Sequence, residues 1–178
     1  MSEYIDNIFI QDEVNPGPKL TIAAQIGNEE ILKLRKTAFL CSRKVPASAV
    51  LKCYDWAIAQ RESGTCVISG FHSTIEKDVL QYLLKGKQPI IVALARGLKE
   101  KIEPVFEKPL VEGRLLFVTP FSNEVKRVST QTAAVRNEIM IALADQITIG
   151  YVNKGGQLEK LLCSFKKEIE YLSKQDDL

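Results

Sequence analysis

Four short stretches carry residues suited to gripping a phosphate. Ser42, Arg43 and Lys44 follow one apolar run, and Ser69, Gly70 and His72 follow a second. Arg136 and Asn137 open the apolar segment IMIALA, and Gly155 and Gly156 stand after a further apolar run, QITIGYV. Arg and Lys supply charge and forked N–H donors, glycines let a ligand approach the backbone, and amides at helix starts add further donors. The chemistry implied is recognition of a phosphorylated or nucleotide-like ligand. Each piece taken singly is an ordinary turn or surface residue, so convergence on one face carries the reading.

Other chemistries find little material. No G-x-G-x-x-G follows the first apolar run and no G-x-x-x-x-G-K-[ST] occurs, which argues against dinucleotide redox chemistry and P-loop hydrolysis. His72 is the single histidine, and Cys41, Cys53, Cys66 and Cys163 show no metal-ligand spacing, so no metal, cofactor or Ser-His-Asp triad is expected. Glu159 has the chemistry of a general acid or base, yet a glutamate in a helix's first turn is better explained by the helix dipole.

These residues need a scaffold. A chain of 178 residues with 46% hydrophobic and 26% charged residues fits one domain with a full core. The net charge of +2 permits a local basic patch without demanding one. Scattered cysteines, an acidic start without a signal-like apolar region, and no apolar run of about 18 residues predict a cytoplasmic chain with reduced thiols and no membrane partner.

From Thr37 onward, short apolar runs alternate with helix-period segments, the pattern of an α/β, Rossmann-like, three-layer domain with a mainly parallel sheet and helices on both faces. TAFLCS, CVISGF, PIIVALA, LLFVTPF and QITIGYV read as its strands. Pro46 opens one helix, Ser73 with Glu76 forms a capping box for the next, and Arg96-Gly97 leads a third through about Glu107. A fourth runs through Arg136 to Ala144, and Leu158, Leu161, Leu162, Phe165, Ile169 and Leu172 mark a closing amphipathic helix. Residues 1–36 read as an extension with a turn at NPGPK, an edge strand in LTIAAQI and a short helix from Asn28 or Glu29. Residues 37–172 form the domain, and 173–178 a frayed tail. In such a sheet the loops at the strand C-terminal ends converge, and the stretches at Ser42–Lys44, Ser69–His72 and Gly155–Gly156 fall on them, with Arg136 and Asn137 on the helix that precedes QITIGYV.

The ordered set IGNEEIL, FLCSRKVP, VISGF, PIIVALARGL, RNEIMIALAD and GGQL resembles the DNA-processing protein A family (DprA, also called Smf), over about Leu20 to Leu162. The resemblance implies single-stranded DNA binding, often by dimers, and hand-over of the strand to a RecA-type recombinase during natural transformation. It places Ser42-Arg43 on the family's Gly-Ser-Arg, with Cys41 for the glycine, Ser69-Gly70 on its Ser-Gly and Arg136-Asn137 on its Arg-Asn. Gly156 and Leu158 approximate its Ser-Gly-Ser-Leu turn. Arg136 would hold a backbone phosphate and Asn137 would brace the loops around it. Where the family continues Leu-Ala-Arg-Gly-Ile-Asp, Phe71 to Glu76 stand here; Ala133, Ala134 and Val135 replace Phe-Pro-Arg, and Glu138 replaces an arginine. At least three positive charges are absent from the expected DNA face, which predicts weaker DNA binding. Two further readings are a non-enzymatic binder or sensor of a nucleotide-derived ligand, and a phosphoribohydrolase resembling the cytokinin-activating enzymes through Arg136, Gly155-Gly156 and Glu159.

Overall fold

The computed structural model describes residues 21–173. The NPGPK turn and the tail from Lys174 on lie outside them. The described residues form one seven-stranded sheet from β1 (Ala24–Gly27), β2 (Lys36–Leu40), β3 (Cys66–Ser69), β4 (Ile90–Ala93), β5 (Leu115–Thr119), β6 (Gln146–Ile149) and β7 (Ile169–Tyr171). Its order is β1-β5-β4-β3-β2-β6-β7, parallel throughout except for β1, which pairs antiparallel with β5. The helices are α1 (Ala47–Ser63), α2 (Thr74–Leu84), α3 (Pro104–Val111), α4 (Thr130–Leu143) and α5 (Gln157–Leu162), with a 3-10 turn at Glu29–Lys33.

The central strands read as unbroken apolar runs because both faces are covered. In β2 every residue is buried, with Phe39 turned toward α1, where its ring stacks on Trp56 at 4.7 Å between centroids. Ala38 and Leu40 point the other way, into the core built with Met140 and Ile141 of α4. Helices α1, α2 and α3 cover the Phe39 side; the 3-10 turn, α4 and α5 cover the opposite side. The fold class read from the sequence is thus observed.

Local signals fix the helix starts that matter for the site. Ser73 Oγ accepts the Glu76 N–H at 3.2 Å and Glu76 Oε2 accepts the Ser73 N–H at 3.1 Å, the capping box expected for α2. Ser129 and Thr132 make the equivalent reciprocal cap for α4. LTIAAQI contributes β1, and Asn28 caps the 3-10 turn by accepting the Glu30 N–H at 3.1 Å. Gly27 has φ +121°, and a Cβ there would lie 2.2 Å from the Leu115 carbonyl oxygen, so this pairing of β1 with β5 needs a glycine.

Two expected elements differ. The third helix begins at Pro104, not after Gly97, because residues 97 and 98 are tied elsewhere: the Gly97 N–H donates to the Val125 carbonyl (2.9 Å) and the Leu98 N–H to Asn123 Oδ1 (3.1 Å). Pro104, with a preset φ and no N–H to satisfy, then starts α3 and carries it to Val111. The closing helix stops at Leu162. Ile169–Tyr171 pairs instead with the open edge of β6, where its backbone groups find ladder partners.

Chain order explains where a site can form. From β2 the chain winds through β3, β4 and β5 in one direction, and α4 then returns it to β6 on the other side of β2. The order reverses beside β2, and the strand C-terminal loops open around that point.

Candidate functional site

Arg136 lies four residues before Met140 on the buried stripe of α4, which carries its side chain to the strand-end face. It is only 6% exposed. Its Nε donates to Asn137 Oδ1 at 2.8 Å, and no hydrogen-bond partner among the described residues meets its Nη atoms. Burial pulls its pKa down, and the nearby Glu76 charge opposes that shift. The guanidinium lies against Gly70, where a Cβ would fall 1.8 Å from Nη1 and 2.2 Å from Cζ. Glycine at position 70 is therefore the space in which Arg136 sits.

Glu76 is the second buried charge, 7% exposed. Beyond the capping box, its Oε1 accepts the Cys41 N–H (3.2 Å) after β2, and its Oε2 accepts the His72 N–H (2.9 Å) after β3. One carboxylate thus ties two strand-end loops together. Between those ties Phe71 takes φ +45°, a left-handed conformation unusual for a bulky residue. The turn is pinned on both sides, since the Phe71 N–H donates to Ser69 Oγ at 3.3 Å. Such conformations persist only where surrounding contacts over-determine them.

Beside Arg136 opens a cavity of about 390 Å³. It runs from the ends of β3 and β4 into the gap between α2 and α3, over an apolar floor that includes Val92, Leu94, Phe106 and Phe117. Its walls carry Lys77, Arg96, Lys99, Lys101 and Arg136 with His72, against a single acid among the described residues, Glu103, which pairs with Lys99 at 2.5 Å. His72 is exposed, yet its pKa is lowered by partial burial and then by Arg136, Lys77 and Arg43, with Glu76 opposing. A neutral imidazole among cations is poised to gain a proton when an anion arrives.

The family model for DNA recombination-mediator protein A matches residues 13–170. The chain belongs to that family. DNA processing protein A from Streptococcus pneumoniae superposes with a TM-score of 0.65 at 15% identity, over 83% of this chain and 53% of its own. This chain therefore spans about half the length of that protein. DNA processing protein A from Helicobacter pylori, whose structure addresses its single-stranded DNA binding mode, superposes with a TM-score of 0.67 at 16% identity, over 85% and 71%. At such identities the likeness is one of fold. No curated protein matches the chain.

The structure divides the residues singled out from the sequence. Gly70, His72 and Arg136 line the cavity, Asn137 holds the Arg136 Nε, and Arg43 is exposed but close enough to His72 to depress its pKa. Ser69 is fully buried and serves the Phe71 turn. Ser42 and Lys44 join the loop after β2 to the loop after β6: Ser42 Oγ accepts the Asn153 N–H at 3.0 Å, and the Lys44 carbonyl accepts from the Asn153 side chain at 3.1 Å. Gly155, with φ +73°, and Gly156 precede α5, and the Gly155 N–H already donates to Glu159 Oε2 at 2.6 Å. Neither glycine lines the cavity.

Sequence reasoning did not single out Glu76 beyond its capping role, nor Lys77, Lys99 and Lys101. The lysines carried a usable signal, because all follow strand ends on the cavity side, two of them in a loop whose Leu98 and Ile102 also line it. Glu76 carried none, since a capping-box glutamate looks the same whether or not it also reaches a second loop. Among the described residues no helix is long and apolar enough to cross a membrane, and no group of three or more His, Cys, Asp or Glu is placed to hold a metal ion.

Proposed function

We propose that this chain binds single-stranded DNA at the strand-end face without catalysing a reaction, and that it acts in DNA processing by delivering the strand to a RecA-type recombinase. The observation that carries the reading is the ring of Lys77, Arg96, Lys101 and the half-unpartnered Arg136 around one apolar-floored cavity. Cations track the phosphates, and an apolar recess accepts the faces of bases that a duplex keeps stacked, so a single strand fits better than a double one. Family membership and the fold shared with the Helicobacter pylori protein support the same reading. The strand would cross Arg136, His72 and Arg43 in passing from the cavity toward the loop after β2, with Ser42, Lys44, Gly155 and Gly156 on its outer margin.

The cavity volume favours a second reading, a small nucleotide-derived ligand held by the same residues, because about 390 Å³ lies within the range of small-molecule sites. Competition separates the two. A labelled oligonucleotide displaced by unlabelled single strand, but not by millimolar mononucleotide, supports the first; tight mononucleotide binding with no oligonucleotide binding supports the second. A homodimer presenting two such faces would lengthen the bound strand, and sedimentation with and without oligonucleotide reads that directly.

A further inference from the structure

The chain joins the sheet at the cavity's own end. Because β1 runs antiparallel, Ala24 pairs with Thr119 at the C-terminal end of β5, and the Ala23 N–H donates to the Thr119 carbonyl at 2.8 Å. Two residues further on, Ile26 lines the cavity. Ala23 therefore sits at the strand-end side of the sheet, three residues from a side chain that lines the cavity.

The sequence before Thr21 is complementary to the cavity in charge and in polarity. Residues 1–20 hold Glu3, Asp6, Asp12 and Glu13 against Lys19 alone. The acids are interleaved with Tyr4, Ile5, Ile8, Phe9 and Ile10. The cavity offers the matching partners, an apolar floor and a rim of lysine and arginine, with Val105 and Val128 left 45% and 41% exposed at its edge. Ten residues, 14–23, separate the acidic-apolar stretch from β1 and extend to at most about 36 Å. A cavity walled partly by Ile26 is within that reach.

We propose that residues 3–13 of this chain occupy the basic cavity and compete there with nucleic acid. The competition rests on the DNA-binding reading above; the docking does not. A short tether presents its segment at an effective concentration of about a millimolar. An intrinsic dissociation constant near 0.1 mM would then fill the cavity about nine-tenths of the time and weaken the apparent affinity for a strand about tenfold. The segment acts as an internal polyanion that only a longer polyanion displaces.

The test uses the full chain and two variants of it. One replaces the acids (Glu3→Gln, Asp6→Asn, Asp12→Asn, Glu13→Gln). The other, Ile8→Ser with Phe9→Ser, leaves the charge unchanged. Methyl NMR follows Leu98, Ile102, Val105 and Val128 at the cavity and Leu51 and Val111 away from it, and anisotropy follows a labelled single-stranded oligonucleotide at low salt. Both variants are expected to move the cavity methyl signals, leave the distant ones in place and tighten oligonucleotide binding about tenfold. Cavity signals unmoved in both variants overturn the docking, even if the acid-neutralised variant binds DNA more tightly through its altered net charge. Moved signals with unchanged, measurable DNA affinity overturn the competition and retain the docking. Moved signals with no DNA binding by any form overturn the DNA reading and, with it, the competition alone.

Discussion

Placing a methyl group at Gly70 should evict Arg136. The added Cβ would lie 1.8, 2.2 and 2.8 Å from Nη1, Cζ and Nε, whereas ordinary contact between such atoms is about 3.5 Å. The guanidinium must therefore retreat by roughly 1.5–2 Å, since 3.5 less 1.8 is about 1.7. That retreat breaks the 2.8 Å bond from Nε to Asn137, a charged hydrogen bond worth about 1.5–3 kcal/mol in a buried setting. Gly70→Ala should lower the urea midpoint accordingly, by about 1.5–3 kcal/mol in unfolding free energy. It should also cost one phosphate contact, flattening the salt dependence of single-stranded oligonucleotide binding by about 0.7 in log-log slope. On an Arg136→Ala background the space is empty and the same substitution should cost within about 0.5 kcal/mol of nothing. The double-mutant cycle should thus report a coupling above about 1 kcal/mol. Additive effects would refute the claim that Gly70 exists to admit the Arg136 guanidinium.

Three further outcomes are expected. Glu76→Ala leaves the N–H groups of Cys41, His72 and Ser73 without their acceptor and should destabilise the fold by about 3–5 kcal/mol, measured by chemical denaturation. Because the His72 pKa is lowered in the free protein and a bound phosphate would raise it, binding takes up a proton; oligonucleotide affinity should strengthen as pH falls from 7.5 toward 5.5, and His72→Gln should flatten that profile. The charges facing His72 are Arg136, Lys77, Arg43 and Glu76; an imidazole is the side chain that ordinarily changes charge between about pH 5 and 8, so the histidine should dominate the change. Gly27→Ala, which forces a side chain at φ +121° against the Leu115 carbonyl, should cost more than about 2 kcal/mol and expose β1 to hydrogen exchange before the rest of the sheet.

The sheet was legible because its strands are buried on both faces: runs such as LLFVT and IIVA have no amphipathic ambiguity, and capping residues such as Ser73 mark where helices resume. The closing segment misled because Leu158, Leu161, Leu162, Phe165, Ile169 and Leu172 keep helical spacing throughout. Spacing does not reveal that β6 has an open edge, nor that Lys167 is drawn to the last carbonyls of α4, donating to Ile141 and Ala144 at 2.7 Å each. Those tertiary contacts favour a strand at Ile169–Tyr171 over another helical turn. At the site, residue types showed which side chains suit a phosphate, and strand ends showed on which face they gather. What stayed illegible was the division among them. Whether Ser42 faces a ligand or Asn153, and whether the Gly155 amide is open or taken by Glu159, depends on loop geometry that no local pattern records.

The decisive experiment is the salt dependence of single-stranded oligonucleotide affinity, from about 20 to 200 mM, for the full chain and for Arg136→Ala, with folding of both verified by circular dichroism. Salt-sensitive binding, with a log-log slope that falls by about 0.7 in the variant, is the expected result. Absence of binding by the folded wild-type chain at the lowest salt, or a slope identical in the two proteins, would contradict the assignment of this basic cavity to nucleic acid.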